Sequence, residues 1–184
     1  MTKEVVAEGS EAEAGLHLFS ASTLDKRILE KFPAGKIARP LRCDDYDKGF
    51  LALLGQLTSV GEMSRDVFES RFHEMKNTRP SSYFVVVVED EQTGQVVGSA
   101  SLVVELKFIH CAGSRGRIED VVVDSSARSG GVGSLLVSLL VSLGRELGVY
   151  KMSLECKDNL IGFYGKNGFR VDSGNNFLVQ RFDQ

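Results

Sequence analysis

The chain has 184 residues, 42% of them hydrophobic, enough to bury one full core in a single domain of ordinary size. Its 22 basic and 25 acidic residues leave a net charge of −3, which argues against a nucleic-acid-binding protein, and no apolar run approaches the ~20 residues that cross a bilayer, which argues against a membrane protein. Cys43, Cys111 and Cys156 are odd in number and form no C-x-x-C pair, so a reduced, cytoplasmic chain without a disulfide framework or metal is expected.

Residues 1–35 carry Glu4, Glu8, Glu11 and Glu13 without sustained apolar periodicity and read as a mobile N-terminal extension. Their acids and short apolar stretches suit neither a secretory signal nor a mitochondrial presequence. Leu16, Leu18, Phe19, Leu24, Ile28, Leu29 and Phe32 offer an alternative, a short amphipathic turn docked on the domain. Residues 36–184 read as one domain. Ile37 to Leu41 predicts a first strand, confined to an edge or a bulge because Pro40 cannot donate to a ladder, and Tyr46 to Leu57 a helix. Ser64 N-caps a second helix that places Val67, Phe68, Phe72 and Met75 on one face. Tyr83 to Glu89 and Val96 to Leu106, joined at Gln92-Thr93-Gly94, predict an antiparallel hairpin.

Ile118 to Val123, Val132 to Leu147 and Tyr150 to Cys156 then form a βαβ unit. Val132, Leu135, Leu136, Leu139, Leu140, Leu143 and Leu147 recur at helical spacing, and Gly148 sits at the C-cap. A short helix over Asn159 to Lys166 and two strands, Phe169 to Asp172 and Phe177 to Phe182, are predicted to complete the sheet. The fold class is α/β (α+β), a mixed central sheet with helices on both faces.

Between the strand and the helix of that unit stands Arg128-Ser129-Gly130-Gly131-Val132-Gly133. Glycines allow a tight turn and close approach, and the first amides of the following helix have no internal partner, so the segment reads as a phosphate cradle. No G-x-x-x-x-G-K-[ST] string exists. Gly131-x-Gly133-x-x-Leu136 fails the dinucleotide fingerprint. What remains, R-x-x-G-x-G, resembles the acyl-CoA pyrophosphate loop of the GCN5-related N-acetyltransferases (GNAT). Glu119-Asp120-Val121-Val122-Val123, Lys107-Phe108-Ile109-His110, Leu154-Glu155-Cys156, Gly162-Phe163-Tyr164 and Gln180-Arg181-Phe182 narrow the likeness to the glucosamine 6-phosphate N-acetyltransferases, over Ile37 to Phe182. Ser129-Gly130 within the loop and the acidic N-terminal extension depart from the pattern.

The resemblance implies a homodimeric enzyme using acetyl-CoA, without a metal, to acetylate the 2-amine of glucosamine 6-phosphate on the route to UDP-N-acetylglucosamine. It assigns acetyl-CoA to Val121, Val122, Val123, Arg128, Ser129, Gly130, Gly131, Val132, Gly133, Ser134, Asn159 and Tyr164. The amino sugar falls to Thr58, Lys107, Phe108, Ile109, His110, Glu119, Asp120, Val121, Glu155 and Arg181. Such chemistry needs an unprotonated amine, a donor for the developing oxyanion and a proton for the thiolate. Glu155, Glu119 and Asp120 are the candidate carboxylates, and Tyr164 the acid that the family pattern places there. A bulge in the strand at Glu119-Asp120 would expose the Val121 N–H to the thioester oxygen. Lys107, His110 and Arg181 are the candidate phosphate partners, and Lys107, His110, Arg115 and Arg117 form a local basic cluster. Acetylation of a peptide or another amine, and acyl-CoA binding without catalysis, are the rival expectations.

Overall fold

The computed structural model describes residues 17–182. Five strands, β1 (Lys36–Pro40), β2 (Tyr83–Asp90), β3 (Val96–Leu106), β4 (Ser114–Val123) and β5 (Lys151–Ser153), lie in that order in one sheet. All neighbours are antiparallel except β4 and β5. The parallel pair needs a crossover, supplied by a 3-10 turn at Ser125–Gly130 and helix Val132–Glu146.

Helices cover both faces. α1 (Lys26–Leu29) and α4 (Val132–Glu146) lie on one; α2 (Phe50–Leu54) and α3 (Arg65–Lys76) lie on the other; α5 (Ile161–Gly165) packs beside α4. This explains the unbroken valines of β2. Val86 and Val88 pack with Leu136, Leu140 and Leu143 of α4, whereas Val85 and Val87 pack with Phe50, Leu53, Phe68 and Phe72. A strand buried on both faces has no reason to alternate. α4 begins and ends as its leucine spacing predicts, with Gly148 left-handed at φ 69° beyond its last turn. Leu147 of the expected stripe is exposed.

Several expectations are corrected. The helix expected over Tyr46 to Leu57 is a 3-10 turn at Cys43–Tyr46 followed by α2, because Gly49, at φ 78°, breaks the path. Ser64 caps α3 by accepting from the Val67 amide, but Val67 itself is exposed and only Phe68 and Phe72 are fully covered. The strand expected from Tyr150 to Cys156 shrinks to Lys151–Ser153, since β5 pairs with β4 only from Arg115 to Arg117. The two final strands do not form within the single chain. β5, the edge strand nearest to them in sequence, offers only three residues to pair with, and Val171, Phe177, Leu178, Val179 and Phe182 stay exposed.

Of the N-terminal stretch read as an extension, residues 1–16 lie outside the described residues, and 17–35 pack on the domain. Asp25 caps α1 through the Arg27 amide and accepts from Ser142 of α4 at 3.1 Å. Leu24 and Phe32 join the α4 core, and Phe19 meets Phe84 edge-on at 5.2 Å. The docked amphipathic alternative therefore describes this part.

Candidate active site

The sheet opens where β4 irregularities meet the end of β5. Ser99 pairs with Val122 and Ser101 with Glu119, so Asp120 and Val121 stand opposite the single Ala100. That is a β-bulge, at the place expected from sequence, with Asp120 left-handed at φ 51°. Beyond Arg117↔Ser153 no ladder pair joins β4 to β5. The β4 edge from Glu119 onward is thus freed from its neighbour.

Three carboxylates gather around this opening. Arg117 Nε donates to Glu119 at 2.9 Å and Arg117 Nη2 to Glu155 at 2.8 Å, so one guanidinium ties a β4 acid to the acid that follows β5. Sequence analysis placed Arg117 in a basic cluster and missed this use. The signal was present in the i, i+2 spacing of Arg117 and Glu119, which puts them on one strand face. Asp120 makes no ion pair among the described residues. Its surroundings strip enough water to raise its carboxyl above the usual range, and the Glu119 charge raises it further.

Tyr164, on α5, is buried between Phe163 and Phe169, with ring centroids at 4.8 and 6.4 Å. Burial first, and charge at Cys156 second, push its phenol above the ordinary value. It therefore stays protonated at neutral pH.

The glycine loop fits an anionic ligand. Gly131, left-handed at φ 71°, is the N-cap of α4 and supplies no side chain to the first amides of the helix. Those of Val132, Gly133 and Ser134 thus lack an intrahelical acceptor. A Cβ on Gly133 would meet Phe163 and Val123 at 3.4 Å, and one on Gly130 would meet Pro33 at 3.3 Å, so the loop is packed closely from behind. Arg128 Nε donates to the Val123 carbonyl at 3.1 Å, folding its side chain along the loop. Gln56, which carried no sequence signal, bridges the loop's start: its amide donates to Asp124 at 2.6 Å and accepts from the Ser125 N–H at 3.2 Å. Asn159 is exposed in the 3-10 turn Asp158–Leu160, just before α5.

The remaining substrate candidates are dispersed in the single chain. Thr58 is exposed on the turn after α2, two residues from Gln56. Lys107, Phe108, Ile109 and His110 form the β3–β4 connection, where Lys107 is paired with Glu105 and His110 stacks on Tyr150 at 4.1 Å. Phe108 and Ile109 are exposed. Leu106 pairs with Ser114, five residues before Glu119, so this connection stands roughly 17 Å along β4 from that carboxylate. Arg181 is exposed in the irregular C-terminal segment, with no hydrogen bond or ion pair to the other candidates among the described residues.

Residues 51–169 match the Acetyltransferase (GNAT) family. A probable glucosamine 6-phosphate N-acetyltransferase of Drosophila melanogaster is 49% identical over 147 residues, 79% of this chain but only 66% of the fly protein. Glucosamine 6-phosphate N-acetyltransferase 1 of Oryza sativa subsp. japonica is 40% identical over 71% of this chain and 79% of its own. The crystal structure of glucosamine-6-phosphate N-acetyltransferase from Arabidopsis thaliana superposes with a TM-score of 0.77 at 34% identity, covering 80% of this chain and 99% of that one. The fold is thus shared with these relatives, and the chain belongs to the GNAT acetyltransferase family, among the glucosamine 6-phosphate N-acetyltransferases.

Proposed function

We propose that the protein transfers the acetyl group of acetyl-CoA to the 2-amine of D-glucosamine 6-phosphate, giving N-acetyl-D-glucosamine 6-phosphate and CoA, as a step toward UDP-N-acetylglucosamine. The observation that carries this reading is the convergence of Glu119, Asp120 and Glu155 on the bulge of β4, beside an uncapped helix N-terminus. Carboxylates attract and deprotonate an ammonium group; bare amides attract a pyrophosphate. The names of the relatives support the choice of amino sugar.

Acetyl-CoA supplies an activated thioester. The amides of Val132, Gly133 and Ser134 hold its pyrophosphate with the help of the helix dipole, each favourable contact contributing about 0.3–1 kcal/mol. Val121, Val122 and Val123 line its arm, and the Val121 N–H faces the carbonyl oxygen as charge develops there. Asp120, whose raised proton affinity suits a base, takes the proton of the amine, while Glu119 and Glu155, held by Arg117, position the sugar. Tyr164 gives its proton to the departing thiolate. The amine attacks directly while both substrates are bound, and no acyl-enzyme forms. The enzyme works in the cytoplasm as a homodimer, which brings Arg181 of one copy to the site of the other.

Replacing Tyr164 by Phe tests the assignment. Turnover is expected to fall about 10²-fold, with the acetyl-CoA KM changed less than about threefold. Steady-state kinetics at saturating sugar decides it, and unaltered turnover would remove Tyr164 from the acid role.

A further inference from the structure

The loop that leads into α4 is held at its start by a side chain from the opposite face of the sheet. Gln56 stands two residues beyond α2, in a turn whose Leu57 and Thr58 amides donate back to the Leu54 carbonyl at 2.9 and 3.1 Å. Phe50 and Leu53 bury α2 in the core, so this turn has a rigid base. From it the Gln56 side chain uses both polar atoms on consecutive residues: Nε2 donates to Asp124 Oδ2 at 2.6 Å, and Oε1 accepts from the Ser125 N–H at 3.2 Å. The other oxygen of Asp124, Oδ1, is taken by the Ser126 amide and hydroxyl at 2.8 and 2.5 Å. Ser126 first, then Gln56, with the Arg128 charge adding to them, hold the Asp124 carboxyl below the usual range. It is ionised at neutral pH and accepts only, so the group facing it must donate.

Gln56 is exposed, and two hydrogen bonds at such a place add little to global stability. Their effect falls on the loop. A segment holding Gly130, Gly131 and Gly133 loses much conformational freedom when it closes on a ligand. Fixing its first residues beforehand removes part of that cost. A donor and an acceptor on one planar amide also fix direction, which a single contact does not. Resting on the acetyl-CoA reading of the loop, we propose that Gln56 is a positioning residue that holds residues 124–133 in their pyrophosphate-binding form. It acts through Asp124 and Ser125 rather than on a substrate.

Titration calorimetry of the full-length protein with acetyl-CoA alone, no sugar present, tests this. Gln56→Met keeps the length of the side chain and removes both hydrogen bonds, and the Kd is expected to rise about fivefold, the size of one or two net hydrogen bonds. Gln56→Glu keeps an acceptor for Ser125 but sets a carboxylate against Asp124, and the rise should reach about tenfold or more. Adding Asp124→Asn to Gln56→Glu reverses donor and acceptor across the contact and leaves an oxygen for Ser126, since asparagine caps as well as aspartate; this double variant should bind within about twofold of wild type. Melting temperatures check that each variant is folded. A side chain that only covers the turn would leave the Gln56→Met affinity unaltered and gain nothing from the exchange at 124, and either result overturns the inference alone. A wild-type protein that does not bind acetyl-CoA would instead overturn the reading of the loop on which it rests.

Discussion

Asp120 combines a left-handed backbone with a carboxyl that is exposed, yet whose proton affinity is raised, first by the water its neighbours displace and then by the Glu119 charge. Aspartate and asparagine tolerate that conformation better than most residues, so Asp120→Asn keeps the bulge and removes the charge. Below the pKa of an unfolded aspartate, about 3.9, both states of the parent are protonated and the substitution has little to relieve. As pH rises through the interval up to the higher folded value, ionisation penalises the folded state, and the penalty is complete above it. The Asn variant should therefore melt higher than the parent at pH 7, with the gap closing toward about pH 3. Its kcat/KM should fall about 10²-fold or more. Thermal unfolding at the two pH values, with an activity assay, checks both; a variant melting lower at pH 7 would contradict the account of Asp120. Sequence exposed the acids because two carboxylates precede an all-valine run. It could not expose Arg117 as their tie, because that depends on how far β5 accompanies β4.

At the scale of elements, α4 meets β5 where a glycine faces a methionine. Gly144 is the point of closest approach, for a Cβ there would lie 2.5 Å from Met152 Sδ. Alanine gains about 0.8–1.0 kcal/mol of helix propensity over glycine, but overpacking costs about 1–3 kcal/mol. Gly144→Ala is expected to be destabilised by about 1 kcal/mol net, read as a lower urea midpoint with an unchanged slope. A stabilised variant would mean that Met152 swings aside freely. The leucine repeat made α4 legible from end to end, and the valine run made β2 legible. The last two strands were not, because residues 169–182 have strand-like composition but pair with neither edge of the sheet, and β5, the edge nearest in sequence, is only three residues long. Pairing is a property of the partner as well as of the sequence.

For the molecule as a whole, the same exposed segment gives the clearest statement about assembly. Phe177, Leu178, Val179 and Phe182 are large apolar residues exposed close together in sequence, the kind of surface that marks a protein–protein contact. A second copy covering it in an isologous contact would bury this surface in both chains at once. Sedimentation equilibrium at micromolar concentration should give twice the chain mass, and a single-chain mass would contradict the homodimer. The likeness to relatives was legible in short strings scattered along the chain. The packing of residues 17–35 was not, because their apolar residues acquire meaning only against α4 and Phe84.

The most direct measurement offers acetyl-CoA and the purified protein glucosamine 6-phosphate, glucosamine and a lysine peptide side by side, and follows acetylated products by mass spectrometry. The account predicts rapid acetylation of the phosphorylated sugar, slower acetylation of glucosamine and none of the peptide. Acetylation of the peptide alone would leave the fold and the acetyl donor standing and contradict the assigned substrate.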